Sequence, residues 1–381
     1  MINKTRIHGL DAIRGLALIL GVALHSSMSF LPGIQIWIVA DESRSPVLST
    51  LFFVLHMFRM LLFFVLAGFF AHMSYHRLGL KNFVLDRLKR ITLPFVTTLP
   101  LLVVSFIAIL IWNATIANGG TPPPQPTPAL SAENFPLLHL WFLYLLMLFY
   151  IATLVLRPVL RGLTRVADGI IRLVFSWVGI LLLALPMSLA LYYHPNWLAW
   201  FGIPTPDTSL YPNLPAIIAY GTAFAFGWLL ERQTVLLNHL EQRWVFYLGI
   251  ALAGTVFYLG KLGFTPILIP AAQDNQKLLY AALYSIIAWN WVFAWLGFAL
   301  KFWNQPSAVG RYFADASYWI YLVHLPLVMV FQTLLSKLEW SWGLKFPIIV
   351  MAVLLIALSS YHLLIRHSFI GVILNGKRAK N

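Results

Sequence analysis

The chain has 381 residues, of which 60% are apolar and only 10% charged, against roughly a quarter charged in an ordinary soluble domain. That much apolar surface, in long continuous runs without the two-residue alternation of barrel strands, excludes a soluble enzyme, a nucleic-acid-binding domain, a disordered chain and a β-barrel. The net charge of +14 sits between the apolar runs, where it sets topology and meets anionic lipid, and the absence of cysteine removes disulfide, iron–sulfur and thiolate chemistry.

A membrane-crossing helix needs roughly 20 apolar residues. The apolar runs predict ten such spans, at 10–31, 48–74, 91–113, 138–156, 173–193, 213–230, 244–263, 278–300, 312–335 and 346–365. The chain therefore reads as an all-α polytopic membrane bundle, a single domain over 1–381 with a Pro-rich outer loop at 114–137 and a basic tail at 366–381. The first run, flanked by Lys4 and Arg6, is longer than a signal sequence and lacks a cleavage site, so it is expected to remain as a helix. With the N-terminus inside, nineteen Lys and Arg fall in inner segments and five (Arg44, Lys261, Lys277, Lys337 and Lys345) in outer loops, which predicts that both termini are cytoplasmic.

A charged side chain inside a bilayer needs a partner or a water-filled cavity, so the intramembrane polar residues are the place to look for chemistry. The first span carries Asp11, Arg14 and His25. Eleven residues separate Arg14 from His25, which places them on one side of a helix about 16 Å apart along its axis. Asp11 lies one turn before Arg14, and that pair also reads as an interfacial ion pair. His25 reads either as a packed core histidine or as a cavity-lining base.

In the second span His56 and Arg59 are three apart and share a face, an uncommon intramembrane combination that favours function, whereas Gly68 marks close helix packing. His72 and His76, with no carboxylate nearby in sequence, read as interface residues, and a metal site is not expected. Before the third span, Asp86 pairs by spacing with Arg90; Arg87, Lys89 and Arg90 read either as a phosphate-binding cluster or as topology anchors. Arg157, Arg161 and Arg165 recur every fourth residue, as on one face of a short helix at the headgroups. The stretch from Gly119 to Pro128 reads as a stiff polyproline-like spacer. His139 and Trp141 open the fourth span, and Tyr321 and His324 share a face in the ninth; these suit the walls of a sugar or acyl site, with an aromatic belt as the plainer reading for most Trp and Tyr.

Taken together these motifs resemble the integral-membrane acyltransferase family called acyltransferase 3. Arg14 and His25 match its Arg-x10-His signature; Phe58-Arg59-Met60 with the run from Phe63 to Phe70 resembles its second motif. The basic segment Arg87–Pro94, His139 to Leu143, and Tyr321 to Pro326 are similar to later ones. Ala67 stands where the family has Ser, and Leu325 where one branch has a second His. That branch, the nearest in resemblance, transfers succinyl groups to osmoregulated periplasmic glucans.

The resemblance implies an O-acyltransferase of the bacterial inner membrane. It would move an acyl group from a cytoplasmic acyl-CoA co-substrate, succinyl-CoA in this branch, to sugar hydroxyls of a periplasmic glucan, with no bound cofactor or metal and no nucleic-acid partner. With the residues' own chemistry, it points to His25, Arg14 and Asp11 for catalysis, Arg59, Arg87 and Arg90 for the donor, and His56, His139, Trp141, Tyr321 and His324 for substrate positioning, with Arg14 or Arg59 also suited to the developing oxyanion. His25 is the expected general base or nucleophile, since a histidine is the group on the Arg14 stripe that can take a proton near neutral pH. Other readings on the residues are an O-acetyltransferase for another envelope polysaccharide or glycolipid, and a glycan transporter or flippase. The latter would call for inverted repeats that the chain does not display.

Overall fold

The structure, a computed structural model, describes residues 7–376 except 34, 118–129, 163 and 177. Lys4, Arg6, the Gly119–Pro128 stretch and the basic residues Lys377, Arg378 and Lys380 lie outside the described residues, as does the side chain of Arg161.

Twelve α-helices follow in order, and no strand occurs among the described residues: α1 (His8–Ser27), α2 (Pro46–Arg87), α3 (Leu93–Ala117), α4 (Trp141–Gly162), α5 (Thr164–Val174), α6 (Gly179–Tyr193), α7 (Leu214–Arg232), α8 (Leu237–Leu262), α9 (Asn275–Phe302), α10 (Ala308–Leu335), α11 (Trp342–Ser360) and α12 (Phe369–Asn375). Their starts are set by local chemistry. Ser45, Asn213, Asp274 and Ser307 each accept a hydrogen bond from the backbone N–H three residues on, and Pro46 and Pro215 open α2 and α7, where the missing N–H costs nothing.

Among the described residues, eight helical stretches are long and apolar enough to cross a bilayer. One of them, Pro46–Ile116, has 71 residues, about 107 Å of helix against a hydrocarbon core of about 30 Å. It divides at Gly79, whose φ of 73° belongs to the left-handed region that glycine enters without a Cβ clash. Counted as two crossings, and with α6 added, it brings the number to the ten expected. The span expected at 173–193 differs in detail. Helix α5 meets α6 at 100°, so only the 15 residues of α6 continue the crossing.

At the centre α1 packs against α2, α9, α10 and α11, while α2 lies along α7 and α8 along α9. Close approach of α2 and α7 depends on two facing glycines. A Cβ at Gly68 would overlap the Phe224 carbonyl, and one at Gly227 would overlap that of Val65. Gly68 is thus the packing residue the sequence suggested, and Gly227 is its unforeseen counterpart.

Three loop and tail expectations need correction. Arg157 and Arg165 fall on different helices, α4 and α5, and the Arg157 guanidinium stacks 4.6 Å from the Tyr75 ring centre rather than joining an arginine row. The segment after Arg366 is not simply a tail: α12 packs back, with the Asn375 amide donating to the Asp315 carbonyl at 2.9 Å. Lys345 is no loop residue either. It lies within α11, 1% exposed, with its ammonium 2.7 and 3.0 Å from the two carboxylate oxygens of Asp41. Two buried charges hold each other here, so Lys345→Met should strand Asp41 and destabilise the protein by about 3–5 kcal/mol. Thermal unfolding in detergent would show this as a lowered Tm, largely recovered in the Asp41→Leu/Lys345→Met double variant.

Candidate active site

A cavity of about 1150 Å³ runs between α1, α2, α4 and α10, and all eleven residues singled out from the sequence line it: Asp11, Arg14, His25, His56, Arg59, Arg87, Arg90, His139, Trp141, Tyr321 and His324. They come together because each helix turns its few ionisable side chains away from lipid, and the bundle offers one polar interior to receive them.

The cavity has two chemically distinct ends. At the first, Arg14, Arg77, Arg87 and Arg90 gather. Asp86 holds two of them, accepting from Arg87 at 2.8 Å and pairing with Arg90 at 2.9 Å. The Arg87 guanidinium also lies over the rings of Phe83 and Tyr150. Arg90 falls in a π-helical turn, Leu88–Thr92, whose widened backbone lets the Arg90 carbonyl accept from the Tyr318 hydroxyl. Arg14 lies 3.6 Å from Asp11, donates to the Ala314 carbonyl at 3.5 Å and is 37% exposed.

The second end is a cluster of histidines. The ring centre of His324 lies 5.3 Å from that of His25 and 5.0 Å from that of His139. Nδ1 of His324 is 2.8 Å from the Tyr321 carbonyl, which can only accept, so this nitrogen carries the hydrogen and Nε2 carries the lone pair. That Nε2 is buried and makes no hydrogen bond among the described residues. Nδ1 of His25 and both ring nitrogens of His139 are in the same condition. Tyr321 donates its hydroxyl to the His139 carbonyl at 2.8 Å, and the preceding Leu138 is the one non-glycine residue described with positive φ, at 49°. Backbone strain of this kind concentrates at functional sites, where surrounding structure holds it. Trp141 forms a wall, its ring stacked on Tyr220. His56 Nε2 reaches Thr205 Oγ1 at 3.4 Å.

This geometry bears on two expected assignments. Arg14 stays at the arginine end, about 16 Å along α1 from His25, too far to touch a group that His25 activates. Arg59, expected either at the donor or at the oxyanion, lies among the histidines, within electrostatic reach of His25, His56, His139 and His324, with its Nε buried and unbonded among the described residues, which favours the second role. Gly21 makes room for it: a Cβ there would overlap Arg59 Nη1. The reading of His72 without a carboxylate is also overturned. Glu231, from α7, is buried against it and bonds to Nδ1.

Sequence reasoning missed several supports. Gln332 donates to the His25 carbonyl at 2.9 Å and accepts from the Trp37 indole at 2.8 Å, and the Trp37 ring faces His25 at 6.1 Å. A glutamine within an apolar span was a visible signal. Gly21, Thr205 and Asp207 carried none, since loop polar residues and helix glycines are common.

Comparison with known proteins agrees with this picture. A family model described as an acyltransferase domain, that of acyltransferase 3, matches residues 7–362. The chain is similar to the glucans biosynthesis protein C of Salmonella schwarzengrund (strain CVM19633), Salmonella agona (strain SL483) and Salmonella dublin. Each is 27% identical over 395 residues, covering 98% of this chain and 95% of the relative. No solved structure matches it significantly. A multi-pass helical bundle whose arginines and histidines share one cavity, matched by that family model over nearly its whole length, belongs to the acyltransferase 3 family of membrane acyltransferases.

Proposed function

We propose that this protein transfers a succinyl group from cytoplasmic succinyl-CoA, through the bilayer, to a hydroxyl of a periplasmic glucan. The observation that carries the reading is the single cavity joining the arginine end to the histidine cluster. The name of the relatives supports a glucan acceptor, and the excess of basic residues in alternate loops supports a cytoplasmic arginine end. CoA phosphates meet Arg87 and Arg90, which offer planar, charge-assisted donors. The pantetheine arm, a thin and largely uncharged chain, then reaches up the cavity to present the thioester to the histidines.

In the transfer step the acceptor hydroxyl attacks the thioester carbonyl. His25 takes the hydroxyl proton as the new C–O bond forms; His324, its lone pair held on Nε2, stands beside it. Negative charge develops on the carbonyl oxygen and is met by the Arg59 guanidinium in a water-poor site. The C–S bond then breaks, and the proton leaves with the sulfur as the CoA thiol.

The test uses purified protein in lipid nanodiscs with succinyl-CoA, acetyl-CoA and a glucan oligosaccharide. Glucan gaining the mass of a succinyl group supports the reading; acetyl transfer alone, or no thioester consumption, refutes it. In the same assay the Arg87→Ala/Arg90→Ala variant should raise donor KM by about tenfold or more, since each lost charge-assisted contact is worth about 1.5–3 kcal/mol before water replaces it. Unchanged donor KM in a normally inserted variant would make these arginines topology anchors.

A further inference from the structure

The mouth of the cavity opposite the arginines is built by loops. Residues 130–137 and 207–210 run side by side, with the Leu137 N–H donating to the Asp207 carbonyl at 2.8 Å and the Leu210 N–H to the Ala132 carbonyl at 2.8 Å. The Ser209 hydroxyl also donates to Ala132, the Tyr144 hydroxyl to the Leu210 carbonyl at 2.8 Å, and the Asn213 amide to the Pro204 carbonyl at 3.0 Å. These bonds fasten the loop to α4 and α7, so the residues with which it lines the cavity are held on a rigid frame.

Two of those lining residues are polar: Thr205, next to His56, and Asp207. The other carboxylates lining the cavity belong to the arginine end. Asp11 faces Arg14, Glu231 faces His72, Glu241 lies 3.8 Å from Lys301, and Asp315 follows the Ala314 carbonyl to which Arg14 donates. Asp207 is therefore the one described carboxylate that lines the histidine end of the cavity. Burial pushes its carboxyl above the ordinary range, and its own backbone N–H is the hydrogen-bond donor that offsets this. No described side chain donates to it. A carboxylate so placed has acceptor capacity for which the fold supplies few donors.

We propose that Asp207, with Thr205 beside it, is the acceptor subsite: its carboxylate takes hydrogen bonds from sugar hydroxyls that flank the one acylated. This rests on the glucan-acceptor reading above and adds the residue that recognises the sugar. Adjacent sugar hydroxyls present two donors at a spacing a carboxylate can accept together, and two aromatic residues of the mouth, Trp37 and Phe201, supply apolar faces for the ring. Asp207 is a specificity residue here, while proton transfer belongs to the histidines. A site built around such bonds discriminates against ligands that lack the hydroxyls, because its half-buried polar atoms are then left unpaired.

The experiment compares wild type, Asp207→Asn and Asp207→Glu in lipid nanodiscs, titrating a β-glucan oligosaccharide by calorimetry without donor, and succinyl-CoA separately. Asp207→Asn keeps the side-chain shape, and the bond from Leu137 goes to the backbone, so the fold is retained; matched Tm values check this. The expected result is about a ten- to hundredfold loss of oligosaccharide affinity in Asp207→Asn, partial recovery in Asp207→Glu, and unchanged affinity for succinyl-CoA. Equal oligosaccharide binding by wild type and Asp207→Asn, no binding by wild type, or parallel loss of both ligands overturns the subsite. Glucan binding that depends on Asp207 but is accompanied by no transfer from succinyl-CoA would leave the subsite standing and refute the acyl-transfer reading alone.

Discussion

Replacing His25 with Ala should lower acyl transfer by about three orders of magnitude or more, with abundance, insertion and Tm close to wild type. Positioned acid–base groups contribute about 10²–10⁴-fold. The histidine sits near the end of α1, with its carbonyl held by Gln332 and its ring facing Trp37 and His324. Truncating the imidazole removes no hydrogen bond made by Nδ1 among the described residues, so the bundle should tolerate the change. His324→Ala is the informative companion. The sequence ranks His324 below His25, but the bond from its Nδ1 to the Tyr321 carbonyl orients it as a base is oriented in many enzymes. If His25 removes the proton, His324→Ala should cost about one to two orders of magnitude. Single-turnover rates in nanodiscs decide between them: a larger loss in the His324 variant would exchange their roles, and substantial turnover by the His25 variant would end this mechanism.

The second large effect is expected at Arg59. Its guanidinium lies among the histidines, where the carbonyl oxygen of a reacting thioester would gather charge. Loss of one oxyanion donor costs about 10²–10³ in kcat, so Arg59→Gln should fall in that range with donor KM little changed. Arg59→Lys should recover only part of the rate, because a compact ammonium cannot fill the position of a planar guanidinium seated against Gly21. A donor KM that rises with kcat intact would return Arg59 to the donor-binding role.

Much of the architecture is legible in the sequence. Apolar run length against bilayer thickness yields the helical class of the bundle and the order of its long crossings, since each crossing is a local property of about 20 residues. The same physics made the site residues visible: Arg14, His25, His56, Arg59, His139 and His324 are costly anywhere but in a shared polar interior, and that is where the structure places them. Helical spacing also pairs Asp86 with Arg90 correctly, because four residues along one helix is a short-range relation.

What the sequence by itself determined, then, is the class of bundle and the polar residues that must avoid lipid. The tertiary structure alone decided which of them meet. Glu231 bonds to His72 across 159 residues, Tyr321 to His139 across 182, Lys345 to Asp41 across 304 and Gln332 to His25 across 307. Periodicity reports the side of a helix on which a residue lies, but not the neighbour that side faces. For that reason Arg59, open in the sequence between the donor and the oxyanion, was placed among the histidines only by the fold, and Asp207, an ordinary loop acid in the sequence, came to lie at the mouth of the cavity.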